Sequence, residues 1–327
     1  MKIPAAAFAA ALGLALVGCD EGPAKRPVFK DLRAVPRSFA QEIVARRKID
    51  GLTIRVYNTG TVSAPGRAVS ELKSVTSKTI LDVPVFLIKH PAKGYLLFDT
   101  GLPPEVETEP EKRLGRVAYF FVPFKMGAGQ NALAQLKADK IPLDKVRWVA
   151  LSHLHIDHAG MPEAFPQAQI LIDRREWDGA VEEKGSFSKA TDFDTAVWKD
   201  RPNLKLVDLS SAAPYGAFDR AEDLFGDGTV YLVDLAGHTP GNMGLWVNLD
   251  SGPVLLTGDA SWILDNHQDL ALPLKAHIAD INEYWRRLFM IKALQEAVPR
   301  LVVFPGHDLA PLRLQPRPDV TLAPYPR

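Results

Sequence analysis

The chain has 327 residues, with 39 Lys and Arg against 39 Asp and Glu, eight His and one Cys. Its length allows one large domain or two small ones, and 46% hydrophobic with 24% charged residues excludes a wholly disordered chain. Balanced charge argues against a general nucleic-acid binder, and a single cysteine excludes a disulfide framework or a thiolate-rich zinc site, leaving His and carboxylates for any metal chemistry.

Met1-Lys2-Ile3-Pro4 precedes an apolar run from Ala5 to Val17. This reads as a secretory signal over residues 1–18, short for a membrane-spanning helix. The lone cysteine follows in Leu16-Val17-Gly18-Cys19, a stretch that resembles the bacterial lipobox. The resemblance implies acylation of Cys19 as the first mature residue; a plain signal peptide with an incidental Cys is the alternative. Asp20 matches the residue that retains lipoproteins at the inner membrane in enterobacteria, so the expected location is the periplasmic side of that membrane. Residues 19–45 read as a lipid-attached tether, Pro- and Lys/Arg-rich as far as Pro36, with a short amphipathic helix over 38–48. The folded domain is drawn over residues 46–327.

Within it, Thr53–Tyr57, Val83–Ile88 and Tyr95–Phe98 are β-like by branching, aromatics and bounding turns. Residues 131–140 predict a helix with Leu133 and Leu136 on one face. Arg147–Leu151 predicts a strand that ends in a histidine cluster. Gln169–Ile172 is a short strand, with a helix starting at Arg174. The second half repeats the theme: strands at Val230–Val233, Met243–Val247, Val254–Thr257 and Leu301–Phe304, and a helix over Ile281–Ala297 whose Arg286 and Arg287 are expected in solvent. Two similar strand-rich halves predict two stacked mixed sheets with outer helices, an α/β fold of the α+β kind. Two stretches read as insertions: 103–129, rich in aromatics around Phe121 and Phe124, and 182–202. An aromatic insertion is expected either to line a substrate pocket or to pack locally.

The chemistry concentrates in His153-Leu154-His155-Ile156-Asp157-His158, directly after a predicted strand. Alternate side chains at a strand end point the same way, so His153 and His155 converge on one ion, while Asp157 and His158 turn toward a second. Imidazole and carboxylate suit zinc and related divalent metals. His238 in Gly237-His238-Thr239-Pro240-Gly241, Asp259 in Thr257-Gly258-Asp259 and His307 in Pro305-Gly306-His307-Asp308 each follow a strand-like run at a turn. His90, His267 and His277 lie outside these motifs and read as core or surface residues.

In this order the motifs resemble the metallo-β-lactamase superfamily over roughly residues 50–315. The resemblance implies an αββα sandwich with the site at one edge. It also implies His153, His155 and His238 on one metal, Asp157, His158 and His307 on the other, and Asp259 between them. Asp99 in Phe98-Asp99-Thr100-Gly101 is expected to support the metal loop. Two divalent ions, zinc being the first expectation although Fe, Mn and Co accept the same ligands, would activate a bridging hydroxide at neutral pH. Asp157 is then the candidate proton shuttle.

His155, where diiron flavoproteins carry Glu, disfavours a redox role, and the bridging Asp259 disfavours β-lactamase activity. The stretches around His153–Gly160, Ser251–Ser261 and Val303–Asp308 resemble the N-acyl-homoserine lactone lactonases, the quorum-quenching branch. One departure stands out: the lactonase Tyr three residues after the bridging Asp is Trp262 here. The expected activity is opening of a lactone or related ester, with Trp262, Phe121 and Phe124 contacting substrate. Phosphotriester or aryl-ester hydrolysis of the methyl-parathion hydrolase type is the alternative, and a non-catalytic metal-binding lipoprotein a third.

Overall fold

Alternation along the strands decides the layering. The computed structural model describes residues 35–45, 49–111, 123–182 and 195–324. In β1 (Thr53–Pro65), Ile54 and Val56 face one apolar cluster while Tyr57 faces another. β2 (Lys78–His90) and β3 (Gly94–Phe98) repeat this, with Phe86, Ile88, Leu96 and Phe98 on the first face and Val85, Leu87 and Leu97 on the second. Successive side chains of a strand point to opposite faces, so a strand apolar on both must be covered on both.

The first sheet runs β13-β1-β2-β3-β5-β6-β7, with β4 (Phe124–Lys125) on β1. Its remaining strands are β5 (Val146–Ala150), β6 (Gln169–Asp173), β7 (Leu204–Val207) and β13 (Val320–Leu322). The second runs β12-β11-β10-β9-β8, from β8 (Ala221–Asp223), β9 (Val230–Asp234), β10 (Met243–Leu249), β11 (Gly252–Leu256) and β12 (Val302–Phe304). Met243, Leu245, Val247, Val254, Leu256, Val302 and Phe304 meet the inner residues of the first sheet in one shared core.

Helices cover both outer faces. α1 (Arg37–Ala45) and α4 (Ile281–Ala297) lie on the second sheet, through Phe39, Met290, Ile291 and Leu294 against Trp246, Leu255 and Val303. α2 (Ala132–Ala138) and α3 (Arg174–Glu182) cover the first, through Ala132, Leu136 and Trp177. Asn131 caps α2 by accepting from the Ala134 amide, and Asp280 caps α4 by accepting from the amides of Asn282 and Glu283. The arrangement is the expected αββα sandwich of two mixed sheets.

Several particulars differ from the sequence reading. β1 continues past Tyr57 through a register shift between Asn58 and Thr61. Asn58 Oδ1 accepts from the amides of Gly60 and Val83 there, so a stretch that reads as a turn is a bulge within a strand. Phe39 is 3% exposed and packs on Trp246 with ring centroids 5.7 Å apart, so α1 lies against the second sheet. Arg287 is buried, pairing with Asp219, Asp234 and Glu283, where its charge was expected in solvent. Phe121 and Cys19 lie outside the described residues. Among the described residues no helix is long and apolar enough to cross a membrane.

Candidate metal centre

Five strands end at one edge of the sandwich. β3 and β5 are parallel, as are β11 and β12, and β9 runs with β11 because both oppose β10. Their C-terminal ends release Asp99, the His153–His158 loop, His238, Asp259 and His307 in turn. An open sheet offers binding groups at such loops because strand pairing has ended and side chains there need not pack.

The loops converge. His153, His155, His238 and Asp259 form one group of ligand atoms and Asp157, His158 and His307 a second, the atoms within each group lying no more than 4.8 Å apart. His155 Nδ1 is 2.9 Å from His153 Nε2 and 3.1 Å from His238 Nε2. Asp259 reaches both groups: Oδ2 is 3.4 Å from His238 Nε2 and 3.3 Å from His307 Nε2, and Oδ1 is 3.3 Å from His158 Nε2. Asp157 Oδ2 is 3.7 Å from His307 Nε2.

Hydrogen bonds behind the rings set their tautomers. His238 Nδ1–H donates to the His277 carbonyl at 2.7 Å, His307 Nδ1–H to the Asp82 carbonyl at 2.8 Å, and His158 Nδ1–H to Asp99 Oδ2 at 2.8 Å. Ser152 Oγ–H donates to the same Asp99 oxygen at 2.9 Å, leaving its lone pair for His153 Nδ1–H at 3.0 Å. In the neutral form all four rings therefore present a bare Nε2 to the centre. Unshared lone pairs 2.9–3.4 Å apart repel unless a cation lies among them, and two nitrogens on one tetrahedral ion stand roughly 3.3 Å apart. His158 Nε2 and Asp259 Oδ1 are moreover buried without a hydrogen-bond partner. The donor set fits two divalent cations.

In the metal-free protein the ionisation pattern differs between the two groups. Burial, helped by neighbouring imidazoles, pushes His238 down to about 3 and His155 to about 4, and His153 well below its ordinary value, so these stay neutral ligands. Burial alone would also lower His158 and His307, but the carboxylates around them, Asp259 foremost with Asp157 and, for His158, Asp99, together hold both above the usual range. Burial would raise Asp259, yet His307, His158 and His238 keep its carboxyl well below the usual range.

Other residues hold the loops to one another. Glu176 of α3 accepts from the Leu154 amide with one oxygen and from the Gly241 amide with the other, both at 3.0 Å, tying the His153 loop to the His238 loop. Asn242 Oδ1 accepts from the Asp259 amide at 3.0 Å. Gly306 lets the chain pass Asp259: a Cβ there would lie 2.3 Å from Oδ1. Sequence reading missed Ser152, Glu176 and Asn242, each a single polar residue whose partners are distant in the chain. Among the residues set aside, His90 faces Asp227 at 3.0 Å and His267 is buried beside Ser261 Oγ at 2.9 Å. His277 stands at the centre, through its carbonyl on His238 and its ring 5.2 Å from Trp262.

The model of the metallo-beta-lactamase superfamily matches residues 79–307. The chain belongs to that superfamily. It is a metal-dependent hydrolase, with two groups of His and Asp side chains able to hold metal ions gathered at the sheet edge. It is 36% identical over 232 residues to the N-acyl homoserine lactonase AttM of Azorhizobium caulinodans, covering 70% of this chain and 82% of that protein. Identity with AttM of Agrobacterium fabrum is 34% over the same shares. A solved structure of an N-acyl homoserine lactone hydrolase with N-hexanoyl-L-homoserine at its catalytic metal center has a TM-score of 0.65, at 22% identity, 80% of this chain and 95% of that one. At that identity the likeness speaks for the shared superfamily fold.

Trp262 lies over both ligand groups, its ring 5.6 Å from His238 and 5.9 Å from His307. It belongs to an apolar cluster with Val62, Val69, Leu81, Phe124, Ile156 and Ile263. The far half of the β1–β2 hairpin, beyond the bulge, supplies part of that wall.

Proposed function

We propose that the chain opens N-acyl-homoserine lactone-like rings, with Asp157 as the proton carrier and Trp262 and Phe124 in the substrate wall. One observation carries the substrate choice: the ligand cluster abuts an apolar wall, suited to a neutral ester with an acyl substituent. The curated lactonases at 32–36% identity point the same way.

The residues that would hold the ions are His153, His155 and His238 on one side, Asp157, His158 and His307 on the other, and Asp259 between them. Two bound divalent ions, zinc being the first choice, would supply an activated hydroxide and polarise the ester carbonyl. Water adds across the acyl C–O bond of the ring, giving a carboxylate and an alcohol. The departing oxygen needs a proton, and Asp157, with its side chain 13% exposed against 2–4% for His158, His307 and Asp259, is the most open of these ligands to pass it. Asp99, Ser152 and the carbonyls of Asp82 and His277 hold the imidazoles in the tautomer that binds metal. Trp262 covers the centre from the apolar side and limits water.

The test is hydrolysis by the metal-loaded, lipid-free domain of an N-acyl-homoserine lactone series beside paraoxon-type triesters and aryl esters. Lactone turnover abolished by chelation is the expected result; turnover of triesters alone would overturn the substrate assignment. We also infer from Leu16–Cys19 that the protein is a lipid-anchored envelope protein facing the periplasm. A Cys19→Ser variant should lose palmitate labelling and membrane attachment, and retention of both would refute this.

A further inference from the structure

Two side chains beside the candidate ligands, Trp262 and His277, carry ring N–H groups that the chemistry above does not use. Trp262 is 8% exposed, and its Nε1–H is buried with no hydrogen-bond partner among the described residues. The indole is held in place: the Trp262 amide donates to Asn266 Oδ1 at 2.9 Å, and its carbonyl accepts from the amide of the metal ligand His307 at 2.8 Å. An indole nitrogen only donates, and a buried donor left unpaired is costly. A ligand that carries an acceptor oxygen would satisfy this donor.

His277 meets the indole, with ring centroids 5.2 Å apart and planes at 51°. It ends a short turn, Lys275–His277, whose last carbonyl fixes His238. One residue thus has two separable functions: its backbone orients a metal ligand, and its side chain abuts the tryptophan above the centre. The indole stands 5.6 Å from His238 of one ligand group and 5.9 Å from His307 of the other, so a lactone held at the centre would bring its ring substituent close to it.

We propose that Trp262 Nε1–H donates to the carbonyl oxygen of an acylamide attached to the lactone ring, and that His277 is a positioning residue that sets the indole for this bond. The inference rests on the lactonase reading and names what the site recognises beyond the ring. It makes the exocyclic amide, and not the acyl tail alone, a determinant of affinity.

The test uses metal-loaded full-length protein and two γ-lactones, one carrying an N-acylamino group and one an alkyl group of similar length. Trp262→Phe should raise KM for the amide-bearing lactone roughly three- to tenfold, the effect of one lost hydrogen bond, and change it less than twofold for the alkyl lactone. His277→Ala should shift KM in the same selective way by a smaller factor. Its metal content should stay at the wild-type level, because the carbonyl on His238 belongs to the backbone. Should Trp262→Phe fail to fold, the benzothiophene isostere of tryptophan removes the N–H at unchanged shape and must give the same split. Equal changes on both lactones, no change on either, or metal loss in His277→Ala would overturn the inference while leaving the lactonase reading standing. A wild-type protein that opens neither lactone would overturn both.

Discussion

Replacing Asp99 by Asn tests how the metal centre is held, because it changes charge and hydrogen-bond sense with almost no change in shape. Asp99 accepts three bonds: from the Ser152 amide at 2.7 Å, Ser152 Oγ at 2.9 Å and His158 Nδ1 at 2.8 Å. It is 3% exposed and sits at φ +64°, a backbone conformation that Asn tolerates and Ala does not, so Asn isolates the side-chain effect. The amide oxygen can keep the Ser152 amide bond. The NH2 then faces His158 Nδ1–H donor to donor, and His158 escapes by moving its proton to Nε2, the atom a metal needs. The damage should fall on the group of Asp157, His158 and His307. Loss of a partner behind a ligating histidine weakens binding about 10- to 100-fold, or roughly 1.4–2.8 kcal/mol. Chelator competition followed by elemental analysis should find one ion per chain held as in wild type and one released 10- to 100-fold more readily. Two ions as tightly held as in the parent would refute the argument that Asp99 sets the His158 tautomer.

Gly306→Ala places a methyl 2.3 Å from Asp259 Oδ1 and 2.7 Å from the Gly258 carbonyl; both metals should be lost at a stability cost of about 1–3 kcal/mol, and metal content equal to wild type would contradict it. Asp157→Asn should retain more metal than activity, since an amide keeps a ligating oxygen but passes no proton, whereas His158→Ala should lose both; equal losses in the two variants would remove the shuttle role. For the metal-free protein, His238, His155, His267 and His277 are depressed to about 3–4, chiefly by burial, so the unfolded chain takes protons first. Their contribution to stability is intact above about pH 6.5 and is lost as pH falls from there toward 4, so Tm should drop across that window; a flat Tm would count against these burials. His158 and His307, raised by Asp259, contribute stability below about pH 6.5 that is lost as pH rises through their folded values. Metal binding near pH 7 must displace such protons, and calorimetry in buffers of different ionisation enthalpy should detect the release; its absence would show those imidazoles already neutral.

The sheet cores and the metal-binding loops were legible for the same reason: each is written in consecutive residues. Strands such as Met243–Leu249 carry their alternation in place, and His153–Asp157–His158 lies within one turn of chain. β4, β7, β8 and β13 escaped because they are short and carry polar residues, whereas β12, no longer, is wholly apolar and was read. Arg287 was misread because the carboxylates that bury it, Asp219 and Asp234, come from another part of the chain. His277 looked incidental because its neighbour Trp262 and its backbone partner His238 are 15 and 39 residues away.

The pattern of support explains how so many polar groups are held at one sheet edge. Most of the seven candidate ligands, and the ring nitrogens behind them, leave water, and each loses more than it regains unless a partner stands ready. The partners come from other loops: Asp99 of the β3 loop serves His158, Asp82 of β2 serves His307, and the turn before α4 serves His238. Glu176, itself pushed up by burial and accepting from two amides, joins two more loops. A loop stabilised only by its own residues could drift as a unit and take its ligands with it. With these cross-ties, moving one loop breaks bonds in at least one other, so the two sheets fix the ligand positions jointly. The apolar wall with Trp262 meets this frame through one backbone bond to His307 and the side chain of His277, so on the proposed reading any contact made at the wall is tied to the candidate ligands through two named residues.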